Sequence, residues 1–301
     1  MPAETRRPSL RVTSIIFMGT GTSGCIPNVP CITSDNPKCK VCKYSLTAEG
    51  AKNRRRNTSL LVCVSHPDGR QRNILIDCGK TFYEAAVDVF VKHNIKTIDA
   101  VILTHGHADA MMGLDSLRQW TALQKTPLPI FCDNDTLRTI ACAFPYLVDT
   151  DKATGSGYVP QLEFHTIDEP YAAFECMGIM FQPLRVEHGT HSDGCPYYCN
   201  GFRFGNVSYI SDCSRIPDST RPLIEGTELL ILDALTWAPY SSHFGYYQAL
   251  DEVRFFRPSR TLLTDFSHRM SHAEMEQKAE QLLADEGLVV DPSFDGLKVD
   301  L

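Results

Sequence analysis

The stretch LTHGHADAMMGLDSLR, residues 103–118, is the part of the sequence that most directly decides the fold. It overlaps the short apolar run DAVILTH (99–105), which is typical of a strand buried on both faces. Residues two apart in an extended segment point to the same side. His105, His107 and Asp109 are therefore expected to face one cation at the strand end.

Ionisable residues end several other apolar runs in the same way. His188 follows PLRVE, Asp212 follows VSYIS, Asp233 lies in LILDAL, and Asp265 follows TLLT. Buried charges are costly unless they converge on a metal or on each other. The recurrence favours a metal site built from several strand ends over a single surface histidine pair.

The composition indicates a folded chain with little affinity for nucleic acid. The 301 residues are 43% hydrophobic and 22% charged, with a formal net charge of -7. That balance disfavours broad nucleic-acid binding, and we interpret the basic run at 53–57 as a solvated turn. We see no signal peptide and no apolar run of about 18 residues, so we predict no membrane span and a cytoplasmic, or alternatively nuclear, protein. The twelve cysteines are then not expected to form disulfides.

Strand-like and helix-like segments alternate through both halves of the chain. Strands are predicted at 10–19, 59–66, 73–79, 127–133, 178–188, 200–205, 207–212 and 228–235, with a further strand that runs into a loop over 260–268. Helices are predicted at 81–94, 109–123, 133–144, 243–257 and 271–287. This order predicts two packed sheets with helices outside. We expect one domain over 1–301, with the polar stretch 150–160 as an internal loop.

A glycine-rich motif near the N-terminus does not indicate a dinucleotide site. GTGTSG (19–24) matches G-x-G-x-x-G after a strand, but that fingerprint needs a helix to follow. Pro27 and Pro30 come next, and we expect no helix to start there.

Several motifs together resemble the metallo-β-lactamase superfamily, over nearly the whole chain. They are THGHADAMMGLD (104–115), ISD ending at Asp212, and TDFSH (264–268). Within that superfamily the chain looks most like the PhnP-like phosphodiesterases, because of GTGTSGCIPNVPC (19–31), IDCG (76–79) and DALTWAPYSSHFG (233–245). The resemblance implies a four-layered αββα sandwich with metals at the sheet edges.

The resemblance also implies roles for individual residues. His105, His107 and His188 match the ligands of a first metal, Asp212 the bridging carboxylate, Asp109 a second-metal ligand, His243 the proton donor to the leaving group, and Asp77 a buried aspartate that orients the ligand loop. For Asp77 a simple turn-forming role stays open.

Two departures from the family pattern affect the second metal. Ala110 and Asp265 stand where that pattern has histidines. We therefore expect zinc at the first site. The second site would hold Asp109 and Asp212, with Asp265 as a further candidate, and either bind Mn or Mg weakly or stay empty.

A second zinc site is predicted in an insertion at about 25–45, here called the zinc hook. Cys39 and Cys42 have the C-x-x-C spacing of structural zinc sites, and Cys31 precedes them. The PhnP-like pattern supplies His268 as the fourth ligand, and Cys25 is the alternative to Cys31.

These features predict a metal-dependent hydrolase, acting on a small or cyclic phosphodiester. Zinc would acidify a water, Asp109 or Asp212 would orient it, and His243 would protonate the leaving oxygen. Arg185, Arg215 or His191 could add positive charge. The alternatives are a thioesterase or lactonase of the same fold, and a metal-binding protein with reduced catalysis. The sequence leaves a homodimer open.

Overall fold

A computed structural model describes residues 10–35, 38–155 and 157–301. The chain builds two sheets of seven strands each. The first contains β1 (Arg11–Gly19), β2 (Ser59–Ser65), β3 (Gln71–Ile76), β4 (Ala100–Ile102), β5 (Leu128–Cys132), β6 (Leu162–Thr166) and β14 (Lys298–Asp300). The second contains β7 (Phe174–Cys176), β8 (Ile179–Thr190), β9 (Pro196–Phe204), β10 (Val207–Ile210), β11 (Leu229–Asp233), β12 (Arg260–Thr264) and β13 (Val290–Pro292).

Both sheets are mixed, with antiparallel strands on one side and parallel strands on the other. The first has the order β14-β1-β2-β3-β4-β5-β6, and the second β13-β12-β11-β10-β9-β8-β7. The pairs β3·β4, β4·β5 and β5·β6 are parallel, as are β10·β11, β11·β12 and β12·β13. The parallel strands end together at one edge of the sandwich, and the loops that leave that edge carry the candidate site.

The helices are α1 (Val29–Thr33), α2 (Lys40–Tyr44), α3 (Phe82–His93), α4 (Ala108–Met111), α5 (Arg118–Gln124), α6 (Asn134–Ala143), α7 (Pro145–Val148), α8 (Arg221–Ile224), α9 (Tyr246–Phe256) and α10 (His272–Glu286). One apolar cluster lies between the sheets and includes Phe17, Phe202 and Ile231. Two others pack helices on the outer faces: α3 against the first sheet and α9 and α10 against the second. The predicted αββα sandwich is confirmed.

Four local predictions were wrong. The basic run at 53–57 is not a solvated turn, because Arg55 is fully buried and its guanidinium donates to the carbonyl of Met270 at 2.9 Å. The helix expected over 109–123 is α4, a 3-10 turn at Leu114–Leu117, and α5. It breaks where a Cβ on Gly113 would lie 2.2 Å from the carbonyl oxygen of Gly79. A one-turn helix does follow GTGTSG, with Pro30 in its first turn, where proline needs no N–H partner. The helix expected from 243 begins at Tyr246, which leaves His243 in a loop.

No described helix has the length and apolar character that crossing a membrane requires.

Candidate metal centre

Three histidines from two sheet edges meet in what we call the histidine cage. His105 follows β4, His107 is the residue directly before α4, and His188 lies near the end of β8. The ring centroid of His105 lies 4.5 Å from that of His107 and 5.2 Å from that of His188. His107 Nδ1 and His188 Nε2 are 3.2 Å apart. The predicted ligands of the first metal therefore converge.

Hydrogen bonds outside the cage orient two of these rings. Asp77, in a left-handed conformation after β3, accepts hydrogen bonds from the backbone N–H of Thr104 at 2.8 Å and from its hydroxyl at 2.9 Å. The Thr104 hydroxyl oxygen then lies 2.8 Å from His105 Nδ1, so that nitrogen donates. His188 Nδ1 donates to the carbonyl of Ser242 at 2.8 Å. The Nε2 lone pairs of both rings are left for a cation.

The cage fits a divalent metal. His105 Nε2 is buried and has no hydrogen-bond partner among the described residues. Burial lowers the pKa of His105 to about 3, so the ring is neutral, as a ligand must be. Tetrahedral zinc with Zn–N bonds of about 2.0–2.1 Å separates its ligand nitrogens by roughly 3.3 Å, close to the distance between His107 and His188.

Asp212 provides a carboxylate beside the cage. Its Oδ1 lies 3.8 Å from His188 Nε2, and His188, Asp212 and His243 form a second group whose ligand atoms lie within 4.8 Å of one another. Burial alone would raise the pKa of Asp212, but His105, His188 and His243 outweigh it and lower the pKa to about 2. Asp212 is therefore ionised.

Asp109 lies at the site in a helix, and not in the extended segment that the sequence predicted. The strand does not continue past His107; Asp109 sits in the first turn of α4, so its expected extended position was wrong. It lines the cleft described below, and burial together with Asp212 raises its pKa. Among the described residues it does not join a group of ligand atoms within 4.8 Å.

His243 is held by two carboxylates. Its Nδ1 lies 2.9 Å from Asp233 Oδ2 and 3.1 Å from Asp265 Oδ2. Burial alone would lower the pKa of His243, but Asp233 and Asp265 outweigh it and raise the pKa to about 12. The other Asp265 oxygen accepts from the Thr58 hydroxyl at 2.9 Å. The sequence analysis named Asp233 as an ionisable strand end but gave it no role in the site, although DALTWAPYSSHFG contains both it and His243.

The residues at the expected second-metal position offer carboxylates and no imidazole side chain besides those of the histidine cage. A cavity of about 10 Å³ lies between Asp109, Ala110, Asp212 and Asp265, which is at most the room of one water. Ala110 offers no ligand, and Asp265 faces His243. Asp109, Asp212 and Asp265 line this cavity, but within the described chain their ligand atoms do not all lie within 4.8 Å of one another.

Three cysteines of the zinc hook surround one histidine. His268 Nδ1 lies 3.2 Å from the sulfur of Cys31, 3.5 Å from Cys39 and 3.6 Å from Cys42. Cys25 lies elsewhere and its sulfur accepts from Asn57 Nδ2 at 3.3 Å. The four groups have the donor set of a closed structural zinc site.

An open cleft of about 1010 Å³ leads to the histidine cage. Its wall includes Lys80, His191, Tyr197 and Arg269, and Tyr197 stacks on His107 with ring centroids 5.0 Å apart. Arg215 and Arg185, which were also expected to add positive charge, lie outside this cleft.

Arg215 pairs with Glu187, and Arg185 packs over the ring of Tyr198 beside neighbouring cavities. Of the three side chains expected to add charge, the structure therefore brings His191 alone into the cleft.

Comparisons with known proteins agree with the fold. A family model described as a beta-lactamase superfamily domain matches residues 72–283. A diphosphatase of the PhnP family has 28% sequence identity and a TM-score of 0.76, covering 96% of this chain and 98% of that one. Zinc-bound PqqB from Methylobacterium extorquens has 16% identity and a TM-score of 0.69, covering 96% of this chain and all of that one (100%), and shows similarity of fold alone.

A curated relative adds a different activity. The chain is 28% identical over 284 residues to a Porphyromonas gingivalis protein named octanoyltransferase. The match covers 94% of this chain and 50% of the relative, so the chain spans about half the length of that protein.

Proposed function

We propose that this chain, which belongs to the metallo-β-lactamase superfamily, is a metal-dependent hydrolase that cleaves phosphodiesters. The observation that carries the proposal is the histidine cage at the floor of an open cleft, with the ionised Asp212 beside it. The similarity to a PhnP-family diphosphatase over almost the full length of both chains supports phosphorus as the centre attacked.

The cage would hold zinc through His105, His107 and His188. A zinc ion in such a site polarises a phosphoryl oxygen and lowers the pKa of water toward about 7. Neutral imidazoles suit this role, and the hydrogen bonds through Thr104 and Ser242 keep the ring nitrogens directed inward. The zinc hook with His268 would hold a second, structural zinc.

The remaining residues would move protons. Asp109 and Asp212 orient the attacking water, and Asp109, whose pKa is raised by burial, accepts its proton. The water oxygen bonds to phosphorus as the bond to the leaving oxygen breaks. His243 gives its proton to that oxygen. An alkoxide is a stronger base than an imidazole whose pKa is about 12, so this transfer runs downhill.

The products are a phosphomonoester and an alcohol. No part of this route needs a second ion near Ala110. Asp265 would instead help to hold His243, with Asp233 on the same ring nitrogen.

Acyl-thioester hydrolysis is the second candidate, and the relative named octanoyltransferase is what favours it. The wall of the cleft argues against an eight-carbon acyl tail. Serines, threonines, histidines and two cations line it, with Ala108 and Leu235 as aliphatic side chains among the described residues. Such a wall solvates an anion better than a hydrocarbon chain.

The test compares two esters with the zinc-loaded protein. Bis(p-nitrophenyl) phosphate should be hydrolysed, and octanoyl-coenzyme A should not. His188→Ala should abolish turnover, while the matched variant His66→Ala, in the β2–β3 turn, should keep it. Turnover of the thioester alone would replace the proposal with the second candidate. Turnover of neither ester, with zinc bound, would leave a metal-binding protein with reduced catalysis.

A further inference from the structure

Two cations stand on the wall of the cleft, in a protein that is negative overall. The chain has a formal net charge of -7. Of the described residues that line the cleft, Asp109 is the one carboxylate, whereas Lys80 and Arg269 are both cations. Both are exposed, and no carboxylate oxygen of the described chain is paired with either one within 4.0 Å. A cleft that concentrates one sign of charge attracts a ligand of the opposite sign.

Lys80 is fixed close to the residues beside the cage. It follows Gly79, whose backbone packs so tightly on Asp109 that an added Cβ would lie 1.7 Å from the Asp109 carbonyl oxygen. Lys80 Nζ donates to the carbonyl of Ser23 at 2.7 Å. An ammonium has three N–H donors, so two stay available for a ligand.

Arg269 also lines the cleft, in a segment that is joined to the glycine-rich loop at 19–24. It follows His268, which the zinc hook surrounds. The loop is joined to this segment because Phe266 N–H donates to the carbonyl of Thr20 at 3.0 Å, and Gly21 bridges both Phe266 and Asn57. The backbone N–H of Arg269 donates to the Ser267 hydroxyl at 3.4 Å. Arg269 lines the cleft and has no ion-pair partner among the described residues.

We propose that Lys80 and Arg269 form a second anion subsite, which binds a phosphoryl group linked to the one that is hydrolysed. The substrate class would be a diphosphate diester, in which two phosphoryl groups share a bridging oxygen. One group would lie at the histidine cage and the other between the ammonium and the guanidinium, both of which bind phosphate oxygens well. This inference rests on the proposed phosphodiester hydrolysis.

The test measures each cation against substrates with one or two phosphoryl groups. Zinc-loaded wild type, Lys80→Ala, Arg269→Ala and the double variant are assayed with bis(p-nitrophenyl) phosphate and with a dinucleoside diphosphate. Calorimetry with inorganic diphosphate and inorganic phosphate gives a readout that does not depend on turnover. Lys96→Ala, an exposed lysine after α3 and outside the cleft, is the matched control.

Each single variant should lower kcat/KM for the diphosphate diester by about 10-fold, the scale of one lost hydrogen bond to a charged group. The double variant should lose more than either single variant, by a factor that need not be the product of the two because both cations contact one ligand, and affinity for inorganic diphosphate should fall in parallel. Hydrolysis of the single-phosphoryl ester should change less than about 2-fold, the size of an exposed electrostatic contribution. Lys80→Arg should restore most of the loss.

Equal losses on both substrates, or no loss on the diphosphate diester, would overturn the subsite. Failure of the proposed function has a different signature. In that case wild type hydrolyses neither ester. The affinity of each variant for inorganic diphosphate then still shows whether Lys80 and Arg269 form an anion subsite.

Discussion

Replacing Thr104 with valine removes the hydroxyl that joins Asp77 to His105 while keeping a β-branched side chain of similar size. In the wild-type protein this hydroxyl lies 2.9 Å from Asp77 Oδ2 and 2.8 Å from His105 Nδ1. Asp77 would keep the backbone N–H of residue 104, but His105 would lose its acceptor and the constraint on its tautomer. All three residues are buried, so water does not easily replace the bond.

The expected cost falls on metal affinity first. Removing an outer partner of a ligating histidine lowers affinity by about 10- to 100-fold. Leaving a buried polar group without its hydrogen-bond partner costs about 1–3 kcal/mol, so the free energy of unfolding should fall by a similar amount. Thr261→Val is the matched control, because the Thr261 hydroxyl is equally buried and has no hydrogen-bond partner in the described structure.

The assay is competition for zinc with a chelator of known affinity, together with denaturant unfolding of the metal-free protein. Thr104→Val should bind zinc at the cage 10- to 100-fold more weakly, a range taken from outer-shell substitutions, and Thr261→Val should match wild type. Unchanged zinc affinity in Thr104→Val would refute the reasoning that Asp77 acts on the metal through this hydroxyl.

Three further outcomes follow from other contacts. His243→Ala should slow hydrolysis of a methyl ester by about 100-fold or more but barely affect a p-nitrophenyl ester, whose leaving group needs no proton; equal losses would contradict proton donation. Burial raises the pKa of Asp295 to about 6 from 3.8, so its native form binds more protons than the unfolded form. Its stabilising contribution, up to about 3 kcal/mol, is then present below about pH 4 and lost as the pH rises through 6. The free energy of unfolding of Asp295→Asn, measured by denaturation, should lack this part of the pH dependence. A dependence of the unfolding free energy on pH equal to that of wild type would contradict the prediction. Gly79→Ala would place a Cβ 1.7 Å from the Asp109 carbonyl oxygen, whereas Gly157→Ala meets no atom within 4 Å. Gly79→Ala should lower the free energy of unfolding by about 1–3 kcal/mol and the melting temperature by several degrees, and Gly157→Ala should lower neither.

The central strands could be predicted because their apolar runs are long and have sharp ends. Short strands at the sheet edges could not be predicted. β14 is three residues long and pairs with β1 through Ser14, Ile15 and Ile16, a contact between the two ends of the chain. β7 and β13 also have three residues each, which is too few for a period to emerge. Such strands form because a neighbouring strand is already in place.

The histidine cage was predictable because His105 and His107 stand directly after a buried strand and the family pattern supplied His188. The partners of His243 were not. Asp265 was a candidate metal ligand from its position in the pattern, but the structure turns it toward His243 and Thr58. Asp233 ends β11, and Asp265 directly follows its parallel neighbour β12, so only the assembled sheet brings both carboxylates to one imidazole.

The most direct test of the account is the number of metal ions per chain in wild type, His105→Ala and Cys42→Ser, measured by elemental analysis after dialysis. We expect about two zinc ions in wild type and about one in each variant, with phosphodiester hydrolysis lost in His105→Ala, since each site needs its own ligands. Two retained ions in His105→Ala, or a third tightly held ion in wild type, would contradict a single catalytic metal in the histidine cage.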